Sequence, residues 1–130
     1  MDIHTHRQID NVFCGTPVMV APDISRIELK TTETMQVDDF GLVHGGFIFG
    51  LADHAAMLAV NDPNVVLAGA TVKFLKPVRA GESVTAEATT TDKQGKNTWY
   101  GLPCIGKKNL CFPENLPALC WTDMCWHKAA

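Results

Sequence analysis

One apolar segment dominates the hydrophobic pattern of the chain. Residues 43–60 read VHGGFIFGLADHAAMLAV, and their apolar positions leave no polar face on a helix. A helix that is apolar on every side is normally buried in a core or in a membrane. Asp53 and His54 interrupt the run, which therefore falls short of the ~20 apolar residues that a membrane span needs. We predict a buried central helix that carries a buried acid, Asp53.

Alternation of apolar and polar residues predicts strands on both sides of this helix. Residues 24–35 alternate around Ile27 and Leu29, and residues 65–75 and 82–91 alternate in the same way. Residues 97–100 are the candidate start of a third strand after the helix. Period two is typical of a half-buried strand. A strand, a long helix and then a run of antiparallel strands indicate an α+β fold, with a sheet wrapped around one helix.

The two ends of the chain depart from this pattern. We interpret residues 1–22 as a lead-in with one short helix at 10–14. Residues 97–130 contain four of the five cysteines and all three tryptophans, and prolines fall where strands would be expected. Three explanations of this atypical tail stay open: a loop-rich end, a cap over a pocket, or a shifted reading frame in the source gene.

Length and charge narrow the class of protein. A chain of 130 residues is expected to form one domain, residues 1–130, with a real core. Fourteen acidic residues against 11 basic ones give no argument for a nucleic-acid partner or an anionic membrane. The first ten residues have no apolar signal-peptide core, so we expect a cytoplasmic protein. His4 and His6 fall near an end that we expect to be frayed, and we predict no metal site.

The start of the central helix offers chemistry for a carbonyl or phosphate group. A helix N-terminus presents unpaired N–H groups and a partial positive charge. Glycines at 45 and 46 let a ligand approach those groups closely, as in an oxyanion hole or equally in a phosphate site. Burial among alanines and leucines should raise the pKa of Asp53, as suits a general base or a nucleophile. The alternative for Asp53 is a structural acid bonded to a neighbour.

The spacing between these groups predicts a second copy of the chain. Gly46 and Asp53 are seven residues apart, which is roughly 10 Å along a helix that rises ~1.5 Å per residue. One carbonyl cannot contact both, because attack needs a distance of about 3 Å. If both groups act on one substrate, Asp53 must come from a second helix across a two-fold axis. We therefore expect a homodimer with two shared sites.

Two segments, HGGFIFGLAD and VKFLKPVRAGE, resemble the hotdog-fold acyl-CoA thioesterases. The most similar type is the PaaI-type branch of the 4-hydroxybenzoyl-CoA thioesterase superfamily, and the resemblance covers about residues 10–96. It implies a hotdog fold, with a long central helix wrapped by a curved antiparallel sheet. It also implies edge-to-edge homodimers, which often pair into tetramers. Coenzyme A is then part of the substrate, and no other cofactor is needed.

The resemblance also implies catalytic roles for four residues. A backbone N–H of Gly45 or Gly46 would polarise the thioester carbonyl. His44 would help to hold that loop and the thioester. Asp53 of the partner chain would activate water or attack directly.

The resemblance assigns further residues to substrate binding. Lys73, Lys76 and Arg79 are candidates for the CoA phosphates, with a solvated face as the alternative. Asp38 stands where the family often has an asparagine, and Thr71 lies near the position of a hydroxyl that often holds water. The closing strands of the family, expected after residue 91, have no clear counterpart in the tail.

The resemblance therefore predicts an acyl-CoA thioesterase that releases a carboxylic acid and free CoA. One rival is a non-catalytic acyl-CoA-binding sensor, although no DNA-reading helix is attached. A second rival is a hotdog dehydratase or hydratase, which uses a histidine and an acid in other positions.

Overall fold

The computed structural model describes the backbone of residues 1–74, 76–94, 97–107 and 119–128. Side chains are described as far as residue 90, apart from those at 68, 71, 73 and 75. The elements are, in chain order, α1 (Asn11–Cys14), β1 (Thr16–Ala21), β2 (Ile24–Lys30), a short 3₁₀ turn (Glu33–Met35), α2 (Gly45–Val60), β3 (Val65–Phe74), β4 (Ser83–Gln94), β5 (Asn97–Lys107) and β6 (Leu119–Lys128).

The described strands form one antiparallel sheet with the long helix packed against it. The strand order is β1-β2-β4-β5-β6-β3, so that β1 and β3 lie at the two edges. All five pairings between neighbours are antiparallel. The predicted α+β hotdog fold, with one long helix and an antiparallel sheet, is confirmed.

Helix α2 is buried over most of its length, as its apolar sequence predicts. Its buried residues include Ile48, Leu51 and Met57 and a series of small alanines. They pack with Ile27 and Leu29 of β2 into one hydrophobic core. Small side chains let the helix approach the strands closely, since protein interiors are packed as densely as organic crystals. The helix ends where Asn61 adopts a left-handed conformation, with φ of +55°.

The N-terminal lead-in contains a strand that the sequence analysis missed. The predicted short helix is present as α1, capped by the side chain of Asp10. The strand β1 then follows and pairs with β2. Pro17 hid this strand, because proline lacks the N–H that a sheet ladder needs. It is tolerated here because β1 is an edge strand whose register shifts between Pro17 and Met19.

The tail contains two strands. The predicted start of a strand at 97–100 is confirmed as the beginning of β5, whereas the expectation that the closing strands have no clear counterpart was wrong. Strands β5 and β6 pair with each other, and they join β4 to β3. Pro103 lies where β5 slips against β4, between the pairs Thr89↔Gly101 and Glu87↔Cys104. A bulge of this kind accommodates a proline that has no N–H to donate. The other two tail prolines lie outside the described residues. The assignment of residues 1–130 to one domain stays a prediction.

Candidate active site

The loop that leads into α2 is held by its own polar groups. The Asp38 carboxylate accepts hydrogen bonds from the N–H groups of Phe40 at 2.9 Å and of Leu42 at 3.2 Å. The guanidinium of Arg79 donates to the Phe40 carbonyl at 2.9 Å. The side chains of Asp38 and Arg79, which were predicted to bind substrate, thus form hydrogen bonds that hold this loop. The backbone N–H of His44 donates to Met35 at 2.9 Å and fixes where the helix begins.

The imidazole of His44 caps the start of α2. Its Nδ1 accepts a hydrogen bond from the N–H of Gly46 at 2.8 Å. A side-chain acceptor in this position satisfies one of the N–H groups that a helix start leaves unpaired. The N–H of Gly46 is therefore occupied. Gly45, at the first helical position, has no hydrogen-bond acceptor for its N–H among the described residues. Of the two glycines, Gly45 has the donor that is open to a ligand.

An apolar cavity lies beside this open donor. Its volume is about 260 Å³. It is lined by Val43, Gly45, Ile48, Phe74, Lys76, Pro77 and Val78. The ring of Phe74 is so close to Gly45 that a Cβ on that glycine would lie 3.2 Å from the Phe74 Cε1 atom. The cavity thus lies between the start of α2, the end of β3 and residues 76–78. An apolar group in this cavity can approach the backbone N–H of Gly45.

Asp53 lies further along the same helix and is a half-buried acid. Its Oδ1 atom is buried and has no hydrogen-bond partner among the described residues. Burial raises the pKa of this carboxyl above its ordinary value, while attraction to His6 lowers the pKa in part. For this oxygen, no described neighbour supplies the bond that the structural alternative requires, and the role of the acid stays a prediction. A raised pKa and an unpaired carboxylate oxygen are features of a general base or a nucleophile.

The groups around Asp53 come from α1 and from the neighbouring residue of α2. The His54 Nδ1–H donates to the Cys14 carbonyl at 3.0 Å, and burial lowers the pKa of this imidazole. Burial raises the pKa of the Cys14 thiol, and the charges of Asp10 and Asp53 raise it further. The sequence analysis did not single out Cys14, because no periodicity links it to α2.

The remaining candidates divide between the cavity and other places. The exposed Lys76 lines the cavity beside Gly45. Thr71 and Lys73 lie on β3, opposite Asp123 and Cys120 of β6, and their side chains are outside the described part of the structure. Asp53 is not among the residues that line the cavity, so a single chain does not bring its carboxylate into that space.

Two further features of the described residues concern the requirements of a metal site and of a membrane-spanning helix. Within the described ranges, no three histidine, cysteine, aspartate or glutamate side chains cluster closely enough to hold a metal ion. None of the helices in the described part of the chain has the length and apolar content to cross a membrane.

Comparison with known proteins gives a family match to the part of the chain that contains the candidate active site. The model of the thioesterase superfamily matches residues 40–100, a range that contains His44, both glycines and Asp53. The chain is 47% identical over 126 residues to the methylthioribose-1-phosphate isomerase of Aquifex aeolicus. It is 39% identical over 70 residues, 53% of its length, to a putative esterase of Deinococcus radiodurans. The chain spans 28% of the length of that isomerase and 47% of that esterase.

A solved structure matches over nearly the whole length of both chains. The crystal structure of PH1136, an uncharacterized protein from Pyrococcus horikoshii, has a TM-score of 0.88 and 36% sequence identity. The match covers 99% of this chain and 93% of that one. The chain therefore belongs to the same hotdog-fold family as PH1136, and its residues 40–100 relate it to the thioesterase superfamily.

Proposed function

We propose that this protein is an acyl-CoA thioesterase of the PaaI type, which hydrolyses an acyl-CoA to a carboxylic acid and free CoA. The observation that carries the proposal is the open N–H of Gly45 at the wall of an apolar cavity. A backbone donor beside an apolar space suits the carbonyl of an acyl group. The match to the thioesterase superfamily over the same residues supports this chemistry. The isomerase name belongs to a protein of which this chain spans 28% of the length.

The proposed reaction uses groups from two copies of the chain. The thioester carbonyl accepts a hydrogen bond from the Gly45 N–H, which stabilises the negative charge that develops on its oxygen. Asp53 of the second copy takes a proton from water, whose oxygen then bonds to the carbonyl carbon, or the carboxylate attacks that carbon itself. The carbon–sulfur bond breaks, and on the general-base route the thiolate takes the proton that Asp53 removed from water, so that CoA leaves as its thiol and the acyl group as the carboxylic acid. On the nucleophilic route the thiolate takes a proton from solvent water, and a second water molecule hydrolyses the acyl–Asp53 anhydride to the carboxylic acid and free Asp53. Lys76, at the cavity, is placed to attract the CoA phosphates.

The edge strand β3 supports the proposed homodimer. This ten-residue strand has β6 on one side and lies at an edge of the described sheet. A long edge strand with unpaired N–H and C=O groups is a template for pairing with another chain. Its exposed Val66 and Phe74 are apolar surface that a second copy would cover. Pairing of two dimers into a tetramer and a cytoplasmic location belong to the same proposal.

A pair of substitutions at residue 45 tests the role of the backbone N–H. Gly45→Pro removes this N–H at the first helical position, where proline fits best. Residue 44 already has φ of −57° and ψ of 130°, a conformation that suits a residue before proline. Gly45→Ala adds the same Cβ beside Phe74 but keeps the N–H, and it serves as the matched control. We expect Gly45→Pro to lower kcat/KM for acyl-CoA on the order of 10²-fold relative to Gly45→Ala. Equal kcat/KM in the two variants would exclude this N–H from the reaction.

The acid is tested by thiol release from a panel of aryl- and fatty-acyl-CoAs. We expect Asp53→Asn to lose hydrolysis by on the order of 10²- to 10⁴-fold while still binding the CoA ester. Asp39→Asn, an exposed acid in the preceding loop, is the control and should keep full activity. Binding of acyl-CoA without release of thiol by the wild type would favour the non-catalytic acyl-CoA-binding module.

Mixing two inactive variants tests whether the site is shared. Dimers of Gly45→Pro and dimers of Asp53→Asn each lack one group in both sites. A mixed dimer has one site with both groups intact, so random exchange of equal amounts should restore about a quarter of wild-type activity. Restoration would be absent if both groups of a site came from one chain.

A further inference from the structure

One part of the wall of the cavity beside Gly45 has a fixed shape. Val43, Ile48 and Val78 are only 8%, 3% and 2% exposed, and all three belong to the hydrophobic core. The N–H of Val43 donates to the carbonyl of Val78 at 2.8 Å, which ties the backbones of two wall segments together. Side chains in a core are packed as densely as an organic crystal and have little room to move. A ligand that enters the cavity therefore meets a rigid apolar surface on this side.

Phe74 forms the exposed part of the same wall. It is the last residue of β3, and 55% of its surface is exposed. Its ring lies against the helix start, because a Cβ on Gly45 would be 3.2, 3.6 and 3.7 Å from three of its atoms. Lys76 and Pro77 are the other exposed residues of the wall. Among the described wall residues, Phe74 has the largest apolar side chain, and it is not part of the core. The size of this side chain can therefore change the space beside Gly45 without disturbing the core.

The cavity is small for a long hydrocarbon chain. Its volume of about 260 Å³ is below the ~300–1,000 Å³ that is typical of pockets for drug-sized ligands. A water molecule occupies ~30 Å³ in the liquid, so this volume corresponds to roughly nine groups of that size. A methylene group is of similar size. A compact acyl group therefore fits the cavity, whereas a long-chain fatty acyl group does not.

We propose that this cavity binds the acyl group and that Phe74 is the specificity-determining residue that limits its length. The substrates are then CoA esters of acyl groups with at most roughly nine non-hydrogen atoms. This inference rests on the proposed function, because a carbonyl bound to the Gly45 N–H brings its acyl group to the cavity. Phe74 contacts the acyl group and takes no part in making or breaking bonds. The end of a longer chain meets the ring and the rigid wall, so that it stays in water and adds nothing to binding.

The test measures how binding and turnover depend on chain length. Affinity is measured by calorimetry with S-alkyl-CoA thioethers of increasing chain length, which have no thioester bond to hydrolyse. The kcat/KM for thiol release is measured with straight-chain acyl-CoAs of the same lengths. Phe74→Ala and Phe74→Leu reduce the ring by different amounts. Val66→Ala is the matched control, because Val66 is an exposed apolar residue of the same strand that does not line the cavity. An effect that comes only from lost apolar surface on β3 would appear in this control as well.

The wild type should show a break in the dependence on chain length. We expect affinity for the thioethers to rise about fourfold for each methylene that the cavity buries, and to level off at roughly nine carbon atoms. Phe74→Ala should move this break to longer chains by up to about six carbon atoms, the difference between the two side chains. Phe74→Leu should move it by less, and Val66→Ala should leave it in place. The kcat/KM for thiol release should follow the same order.

Two results would overturn the role of Phe74: a break at the same chain length in the wild type and in folded Phe74→Ala, or wild-type affinity that rises through the whole series. The two readouts also separate this inference from the proposed function. Thiol release without a break in kcat/KM would support the thioesterase and refute the length limit. A break in thioether binding that moves in Phe74→Ala, with no thiol release from any acyl-CoA, would refute hydrolysis and support the length limit.

Discussion

The hydrogen bond between His44 and Gly46 predicts energetic coupling between these residues. His44 caps α2 through the N–H of Gly46 at 2.8 Å. A Cβ on residue 46 would lie 2.7 Å from the Nδ1 atom and 2.9 Å from the Cε1 atom of that ring. Both contacts are too short to persist, so the imidazole must leave its capping position in Gly46→Ala. His44→Ala and Gly46→Ala therefore remove the same cap by different routes.

The expected energies follow from two opposing terms. Loss of a side-chain N-cap costs about 1 kcal/mol of stability. Alanine stabilises a helix over glycine by up to about 1 kcal/mol. His44→Ala should thus lose about 1 kcal/mol, and Gly46→Ala should change stability little, because its gain offsets the lost cap. In the double variant the cap is lost once and the gain remains, so its stability should be near that of the wild type. The coupling is about 1 kcal/mol.

Urea unfolding of the four proteins of this double-mutant cycle measures the coupling. Gly50→Ala is the control in the same helix, since a Cβ there meets nothing within 4 Å. It should add its effect to that of His44→Ala without coupling. Changes at His44 and Gly46 that add within about 0.3–0.5 kcal/mol would refute the capping argument.

Two further predictions concern stability. Gly15→Ala should destabilise by about 2–4 kcal/mol, since φ is +93° and its Cβ would lie 2.7 Å from Leu51; Gly81→Ala, with φ of +96° and nothing within 4 Å, should lose only the strain of about 1–2 kcal/mol. If thermal unfolding showed the same loss of stability in Gly15→Ala and Gly81→Ala, the predicted clash of residue 15 with Leu51 would be contradicted. Burial raises the pKa of Asp53, so the folded chain binds its proton more tightly than the unfolded chain and stability falls as pH rises through that pKa. Asp53→Asn should therefore stabilise at pH 7 by on the order of 1–3 kcal/mol, and this gain should disappear in acid, where Asp53 is neutral in both states; a gain that is the same at every pH would contradict the charge argument.

The central helix and three of the strands can be predicted from local patterns in the amino-acid sequence. An apolar run broken only by Asp53 and His54 predicts a helix buried on all sides, and α2 is buried along most of its length, with the Oδ1 atom of Asp53 buried as well. Alternation predicts β2, β3 and β4 because successive side chains of a strand face opposite sides of the sheet. Both signals are local, since each depends on residues within one element.

Which groups meet at the candidate site depends on contacts between distant parts of the chain. The sequence left Gly45 and Gly46 equivalent, and the orientation of the His44 ring separates them. The sequence predicted that His6 lies near a frayed terminus. Instead, Asn61, far along the chain, holds the N-terminal segment against the end of α2 by two hydrogen bonds. The sequence analysis also missed β1, β6 and the length of β5: the edge strand β1 tolerates Pro17, and β5 slips against β4 at Pro103, whereas a strand is expected to lack prolines. Such contacts join residues distant in the chain and leave no periodic trace in the sequence, which is why the fold was predictable and these contacts were not.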